Sequence, residues 1–380
     1  MLITAERIVT GAEVLDTGWL EVSGGVVTAL GAGVPDATAD HALGAVTVVP
    51  GFVDMHTHGG GSGAFPVATG AESVAARDLH RRHGTTSMIA SLVSAHPAEL
   101  LRQVSMLAEQ VQDGLLDGVH LEGPWLSPHR CGAHEPTSLR DPDLAEVEGV
   151  FAAGRGTIRM VTIAPELHGA VPAIRAMVDA GAVAAIGHTN ASYEEAKAGI
   201  EAGATVATHL FNAMRPLHHR EPGPIAALLE DPRVTVELIC DGVHLHPALY
   251  RDVTSWAGPE RVTLITDAMA AAGMADGAYT LGALDVDVAG GVARVAGTDT
   301  IAGSTATMDQ VFRNAVLWSS APREEALQVA VQQACLNPAR AMGLDVEGIA
   351  VGGPANLVVL DDDLRVTRVL HHGTWVDGVA

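Results

Sequence analysis

Between Val48 and Gly343 the chain repeats one pattern: a short apolar run, most often stopping on a polar side chain, and then an Ala-rich amphipathic stretch. The runs are VDMHTH, TSMIASLV, GVHLEGP, IRMVTIAPE, VAAIGHT, TVATHLF, TVELICDGVH and RVTLITDAM, and SYEEAKAGIEAG typifies the stretches between them. Strand-length runs alternating with helical periodicity mean βα units and a parallel sheet. About eight such units is the number that closes a barrel, whose catalytic mouth lies at the C-terminal ends of the strands. The polar residues found at those ends are His56, His58, Glu122, His188, His209, His244 and Asp267, and the pattern predicts that they converge.

Outside this span the pattern changes. Residues 1–49 read as short strands broken by turns, with Gly24-Gly25 dividing two alternating runs in hairpin fashion. The tail 345–380, with ANLVVLDDDLRVTRVLHHGTWVDG, returns to strand alternation and pairs most economically with the first 49 residues. The expected architecture is an α/β (β/α)8 barrel over 50–344, inserted into a small β-sandwich built from both termini. Residues 276–300, with YTLGALDVDVAGGVARVAG, interrupt the barrel pattern as an inserted hairpin.

Of the 380 residues 48% are hydrophobic and 18% charged, which excludes a disordered chain. A formal charge of −23 with no basic patch excludes nucleic acid and anionic membrane as partners, so an anionic substrate must be gripped by a few local cations. Cys131, Cys240 and Cys335 are widely spaced and odd in number, which points to a reducing compartment. The N-terminus carries no basic and apolar leader pattern, and no run reaches the ~18 apolar residues of a membrane span. A cytoplasmic location is expected. Eighteen histidines against three tyrosines and five phenylalanines ask what the histidines are for.

His56 and His58 end one strand at i and i+2, so both imidazoles project to the same face and can reach one ion. Glu122, His188 and His209 end three further strands, and together the five make a usual donor set for Zn²⁺ or a similar divalent ion. No lysine ends a middle strand where a carbamylated bridge would sit, which leaves Glu122 as the candidate bridging carboxylate. Asp267 reads either as a helix cap or as a base beside an activated water. A divalent ion, a water and a base together point to hydrolysis.

The motifs PGFVDMHTHG, LEGPWLSPHRCGAHEP, GHTNASY, THLFNAM, REPG, DGVHL, TDAM and IAGSTATMD occur in this order over essentially the whole chain. In them the sequence resembles the N-acetylglucosamine-6-phosphate deacetylases of the amidohydrolase superfamily. The resemblance implies a metal-dependent barrel that removes acetate from the 2-acetamido group of a sugar phosphate. It implies Glu122, His188 and His209 as main metal ligands, His56 and His58 as a second-metal pair, and hence one or two ions. It implies Asp267 as the catalytic acid and base, with His244 polarising the carbonyl or touching sugar oxygens. It further implies Arg220 on the phosphate, Asn212 and Ala213 on phosphate and sugar, and Ala133 and His134 on the sugar. Ile301, Ala302 and Gly303 then contact the acetyl group. In relatives the arginine can come from the neighbouring subunit, so a homodimer with shared sites is expected. Cys131 lies in the polar loop between Trp125 and Pro136, as a lid residue near the metal or an incidental thiol. Two other readings compete: an amidohydrolase of another class, such as an N-acyl-D-amino acid deacylase or a cyclic amidase, and a catalytically dead scaffold. Loss of ligands marks the last, and here every candidate ligand is present.

Overall fold

The structure, a computed structural model, describes residues 1–379. Its central feature is a set of eight parallel strands, labelled here in chain order: β1 (Phe52–Thr57), β2 (Thr85–Leu92), β3 (Gly118–Glu122), β4 (Ile158–Ile163), β5 (Val183–Ile186), β6 (Ala204–Ala207), β7 (Thr235–Leu238) and β8 (Val262–Leu264). Consecutive strands pair, for instance Glu122 with Thr162 and Ile186 with Ala207. The ring closes by two main-chain hydrogen bonds between the ends of β1 and β8: Asp267 N–H donates to His56 O (2.9 Å) and His58 N–H to Ala268 O (2.7 Å). Barrel closure itself therefore sets the catalytic candidate Asp267 beside the His56–His58 pair.

The strands are buried almost throughout because both of their faces are covered. Their inward side chains, Met55, Ile89, Met160, Ala185, Val206, Ile239 and Ile265, fill the barrel, and Met342 plugs one end. The outward ones pack against a ring of helices. In the helix Pro97–Gln112, Leu100, Val104, Leu107 and Ala108 face the strands at helical spacing. The helix Tyr193–Glu201 starts at a capping box in which Ser192 and Glu195 satisfy each other's main-chain N–H.

Both termini contribute to a second, eight-stranded sheet, in which Thr47–Pro50 lies between Leu2–Val9 and Leu357–Leu360. All eight strands are joined through hydrogen-bonded pairs, so the layers of the expected sandwich are continuous. The two-residue period divides its labour: Val49, Val358 and Leu360 pack on the barrel, while Val48, Leu357 and Val359 build the sheet's own core. The segment expected as a hairpin is a three-stranded meander, Gly277–Leu281, Leu284–Ala289 and Val292–Val295. The third strand forms because Gly290-Gly291 makes a second tight turn after Ala289. No helix among the described residues is long and apolar enough to cross a membrane.

Candidate active site

The ends of the strands carry an acceptor-rich cluster at the bottom of a cavity of about 450 Å³. Glu122 ends β3, and its Oε1 lies 3.0 Å from His188 Nε2 and 2.8 Å from His209 Nε2. Those two ring nitrogens are 3.1 Å apart. Glu122 Oε2 lies 3.2 Å from His58 Nε2, which is 3.2 Å from His56 Nε2. Asp267 Oδ1 completes the ring at 3.5 Å from His56 and 3.3 Å from His58. All six residues are buried.

Backbone geometry aims these groups inward. His188, His209 and Asp267 all have positive φ (45°, 27° and 50°), a region that costs a non-glycine residue about 1–3 kcal/mol. Each lies just after its strand ends, and their side chains meet Glu122 or the His56–His58 pair. Gly123, at φ +83°, follows Glu122, and a Cβ there would meet Ser94 Oγ at 2.4 Å. The LEGP motif thus needs its glycine for both backbone and space.

Proton bookkeeping shows what the cluster can hold. The Nδ1–H of His56 donates to Glu237 Oε2 (3.1 Å), that of His58 to Ser91 O (3.2 Å) and that of His188 to Arg130 O (2.9 Å). A neutral imidazole has one proton, so each Nε2 presents a lone pair. Three lone pairs and two carboxylates then face one another beside the His209 ring, an acceptor-rich arrangement that suits a cation. Burial by itself would lower the pKa of His58, but Asp267 and Glu122 raise it to about 8. Likewise burial opposes a charge on His56, yet Glu237, Glu122 and Asp267 push its pKa well up. The cluster attracts positive charge, and its residues fit a divalent metal, as the spacing of the ligand atoms of His56, His58 and Glu122 also indicates.

His134 is different in kind. The main-chain N–H of Ser94 donates to its Nδ1 (3.1 Å), so its proton sits on Nε2, 3.3 Å from Glu122 Oε2. His134 is a donor at this site and not a lone-pair ligand. His244 faces the same cavity with its Nδ1 on Asp241 Oδ2 (2.7 Å); burial works against its charged form, but Asp241 and then Asp267 raise its pKa. Asp267 is held ionised in spite of its burial by the facing His56 and His58 rings.

The other expected residues divide. Ala133, Asn212, Ala213, Ile301 and Gly303 line the cavity, as does Cys131 in the loop whose Arg130 pins His188. Ala302 is set apart by the meander: it is fully buried there and its N–H donates to Ala293 O (3.0 Å), so its side chain does not reach the cavity. Arg220 is also outside it. The residue is exposed, its Nη1 sits 2.7 Å from His219 Nε2, and it borders a separate surface cleft with Tyr193, Arg215 and Glu221. Within its own chain Arg220 contacts His219 and lines that cleft rather than the metal-side cavity.

Four residues escaped the sequence reading. Glu237 looks like the polar member of a strand, Asp241 like a loop acid, Ser94 like a turn, and His120 like half of a strand pattern. His120 lies across the barrel between Ser91 Oγ and Thr162 Oγ1, each at 2.9 Å. Only the DGVH spacing could have signalled Asp241, three residues before His244.

Residues 47–376 match the model of the amidohydrolase family. The chain belongs to the amidohydrolase family. Among proteins similar to this amidohydrolase is N-acetylgalactosamine-6-phosphate deacetylase of Escherichia coli O157:H7, 34% identical with 99% of this chain and 98% of that one covered. N-acetylglucosamine-6-phosphate deacetylase of Bos taurus is 37% identical with 88% and 84% covered. The D267A mutant of N-acetyl-D-glucosamine-6-phosphate deacetylase from Mycobacterium smegmatis, solved in complex with N-acetyl-D-glucosamine-6-phosphate, is 62% identical, with a TM-score of 0.98 and 99% of each chain covered.

Proposed function

We propose that this amidohydrolase hydrolyses the acetamide of N-acetyl-D-glucosamine 6-phosphate to D-glucosamine 6-phosphate and acetate. The observation that carries the reading is the cluster of lone pairs and carboxylates around Glu122, with the ionised Asp267 at its edge. The 62% identity to a deacetylase solved with that sugar phosphate supports the substrate.

Glu122, His188 and His209 would hold a divalent ion, Zn²⁺ being the proposed one, and His56 with His58 a second. Such an ion, when bound, polarises an acyl oxygen and makes a water more acidic. The rest is the work of side chains. Asp267 takes a proton from the attacking water as its oxygen bonds to the acetyl carbon. The C–N bond then breaks, and the same carboxyl gives that proton to the departing nitrogen, which could not leave as an anion. His244, charged through Asp241, stabilises the negative carbonyl oxygen. His134 donates its Nε2–H to the sugar, with Ala133, Asn212 and Ala213 beside it. Ile301 and Gly303 close on the acetyl methyl. Because Arg220 lies outside the cavity of its own chain, the phosphate of one site is gripped by the partner subunit's Arg220, in a cytoplasmic homodimer.

Purified, metal-analysed protein tests this by release of glucosamine 6-phosphate, with unphosphorylated N-acetylglucosamine and N-acetylgalactosamine 6-phosphate as paired substrates. Turnover of the phosphorylated glucosamine derivative over the unphosphorylated sugar is expected. Activity on none of the three, with metal bound, would overturn the substrate.

A further inference from the structure

The deepest group in the site lies behind the rings it orients. Glu237, on β7, is fully buried. Its Oε2 accepts two hydrogen bonds, from the Nδ1–H of His56 (3.1 Å) and from the main-chain N–H of His209 (3.0 Å). Its own main-chain oxygen accepts the N–H of Leu210 (2.9 Å), so β7 grips the chain on both sides of the His209 peptide. Glu237 Oε1 is buried with no partner. A carboxylate is kept so deep and so incompletely bonded only where positive charge lies close by.

His56 and His209 belong to different ligand pairs. His56 sits with His58 on β1, and His209 sits with His188 at the ends of β6 and β5. One carboxylate oxygen thus fixes the tautomer of a ring in the first pair and the backbone of a ring in the second. We propose that Glu237 is a positioning residue that couples the two metal subsites, making His56 a more basic ligand while holding His209, at its φ of 27°, in line with Glu122. This inference rests on the metal-dependent reading above.

The full-length protein is stripped with chelator, and Zn²⁺ and Co²⁺ affinity and stoichiometry are read by competition with a chromophoric chelator. The parent, Glu237→Gln and Glu237→Asp are compared, together with the melting of each metal-free protein. Gln keeps the shape and an acceptor oxygen but removes the charge; Asp keeps the charge but is too short to reach both donors. Both are expected to weaken metal binding about 10- to 100-fold and to alter the visible spectrum of the Co²⁺ form. Unchanged affinity and stoichiometry in either folded variant, even with a lower melting point, would overturn the coupling role and leave Glu237 a packing residue. A parent protein that itself binds no ion would instead overturn the metal-dependent reading.

Discussion

Asp241 Oδ2 lies 2.7 Å from His244 Nδ1, and Asp241 Oδ1 accepts the main-chain N–H groups of Val243 and His244, each at 2.8 Å. The carboxylate therefore fixes both the position and the proton of a ring that faces the cavity. Burial disfavours the His244 imidazolium, but Asp241 and Asp267 raise its pKa above the ordinary value. If the charged ring stabilises the carbonyl oxygen, activity is present below that raised pKa and lost as pH climbs through it. Replacing Asp241 with Asn removes the nearer negative charge, lowers the pKa and should move the basic limb of kcat/KM to lower pH. An unmoved basic limb would show that His244 acts neutral.

Asp267 should separate chemistry from metal binding. Asp267→Asn keeps the side-chain shape, and Glu122, His188 and His209 meet without it. Metal content should hold while kcat falls about 10²- to 10⁴-fold. Parallel metal analysis and steady-state kinetics check this, and unchanged turnover would remove Asp267 from its role.

His134 tests the distinction between donor and ligand. With its proton on Nε2, His134→Ala should leave metal stoichiometry intact and weaken use of the sugar phosphate about 10- to 100-fold in kcat/KM, as loss of a hydrogen bond at a charged site does. Loss of bound metal in the variant would make it a ligand after all.

His80 should make the fold sensitive to acid. Its Nε2 donates to Gly59 O (2.9 Å), just after the metal-site strand, and burial lowers its pKa to about 4. The unfolded histidine titrates near ~6.5. A depressed folded pKa means stability is full above that value and declines as pH falls towards about 4, by roughly 3 kcal/mol in all. His80→Gln can still donate to Gly59 O and does not titrate. Urea unfolding from pH 7 to 4.5 should therefore show a flatter loss in the variant, and parallel curves would refute the assignment.

Arg220 is best examined by mixing subunits. Arg220→Ala and Asp267→Asn proteins should each be nearly inactive, whereas a co-refolded mixture should regain activity, since each mixed dimer would hold one intact site. No recovery in demonstrably mixed dimers would return Arg220 to its own chain or to the solvent.

Much of the site was legible because a barrel converts sequence position into spatial position. His56 and His58 share a face by strand geometry, and the residues that end β3, β5, β6 and β8 meet because those ends form one rim. Glu237 was not legible: in TVEL it has the spacing of any polar strand residue, and its role depends on His56, 181 positions away, and on His209, 28 away. Of the tripeptide 301–303, Ile301 and Gly303 line the cavity while Ala302 is buried, a division that was not legible because a tripeptide cannot reveal which of its side chains a neighbouring meander covers. Arg220 sits where the motif put it in the chain, yet outside the cavity of that chain.

The sequence by itself determined the repeat, the parallel sheet and which side chains stand at the strand ends, since these follow from local periodicity and covalent geometry. The tertiary structure decided what each of those side chains is. His188 and His134 are both imidazoles beside Glu122, but Arg130 O accepts the Nδ1–H of one and keeps its proton there, while Ser94 N–H leaves the other with its proton on Nε2. One becomes a lone pair for a metal and the other a donor, because a histidine's proton goes where its second nitrogen's partner sends it, and only packing brings that partner into place.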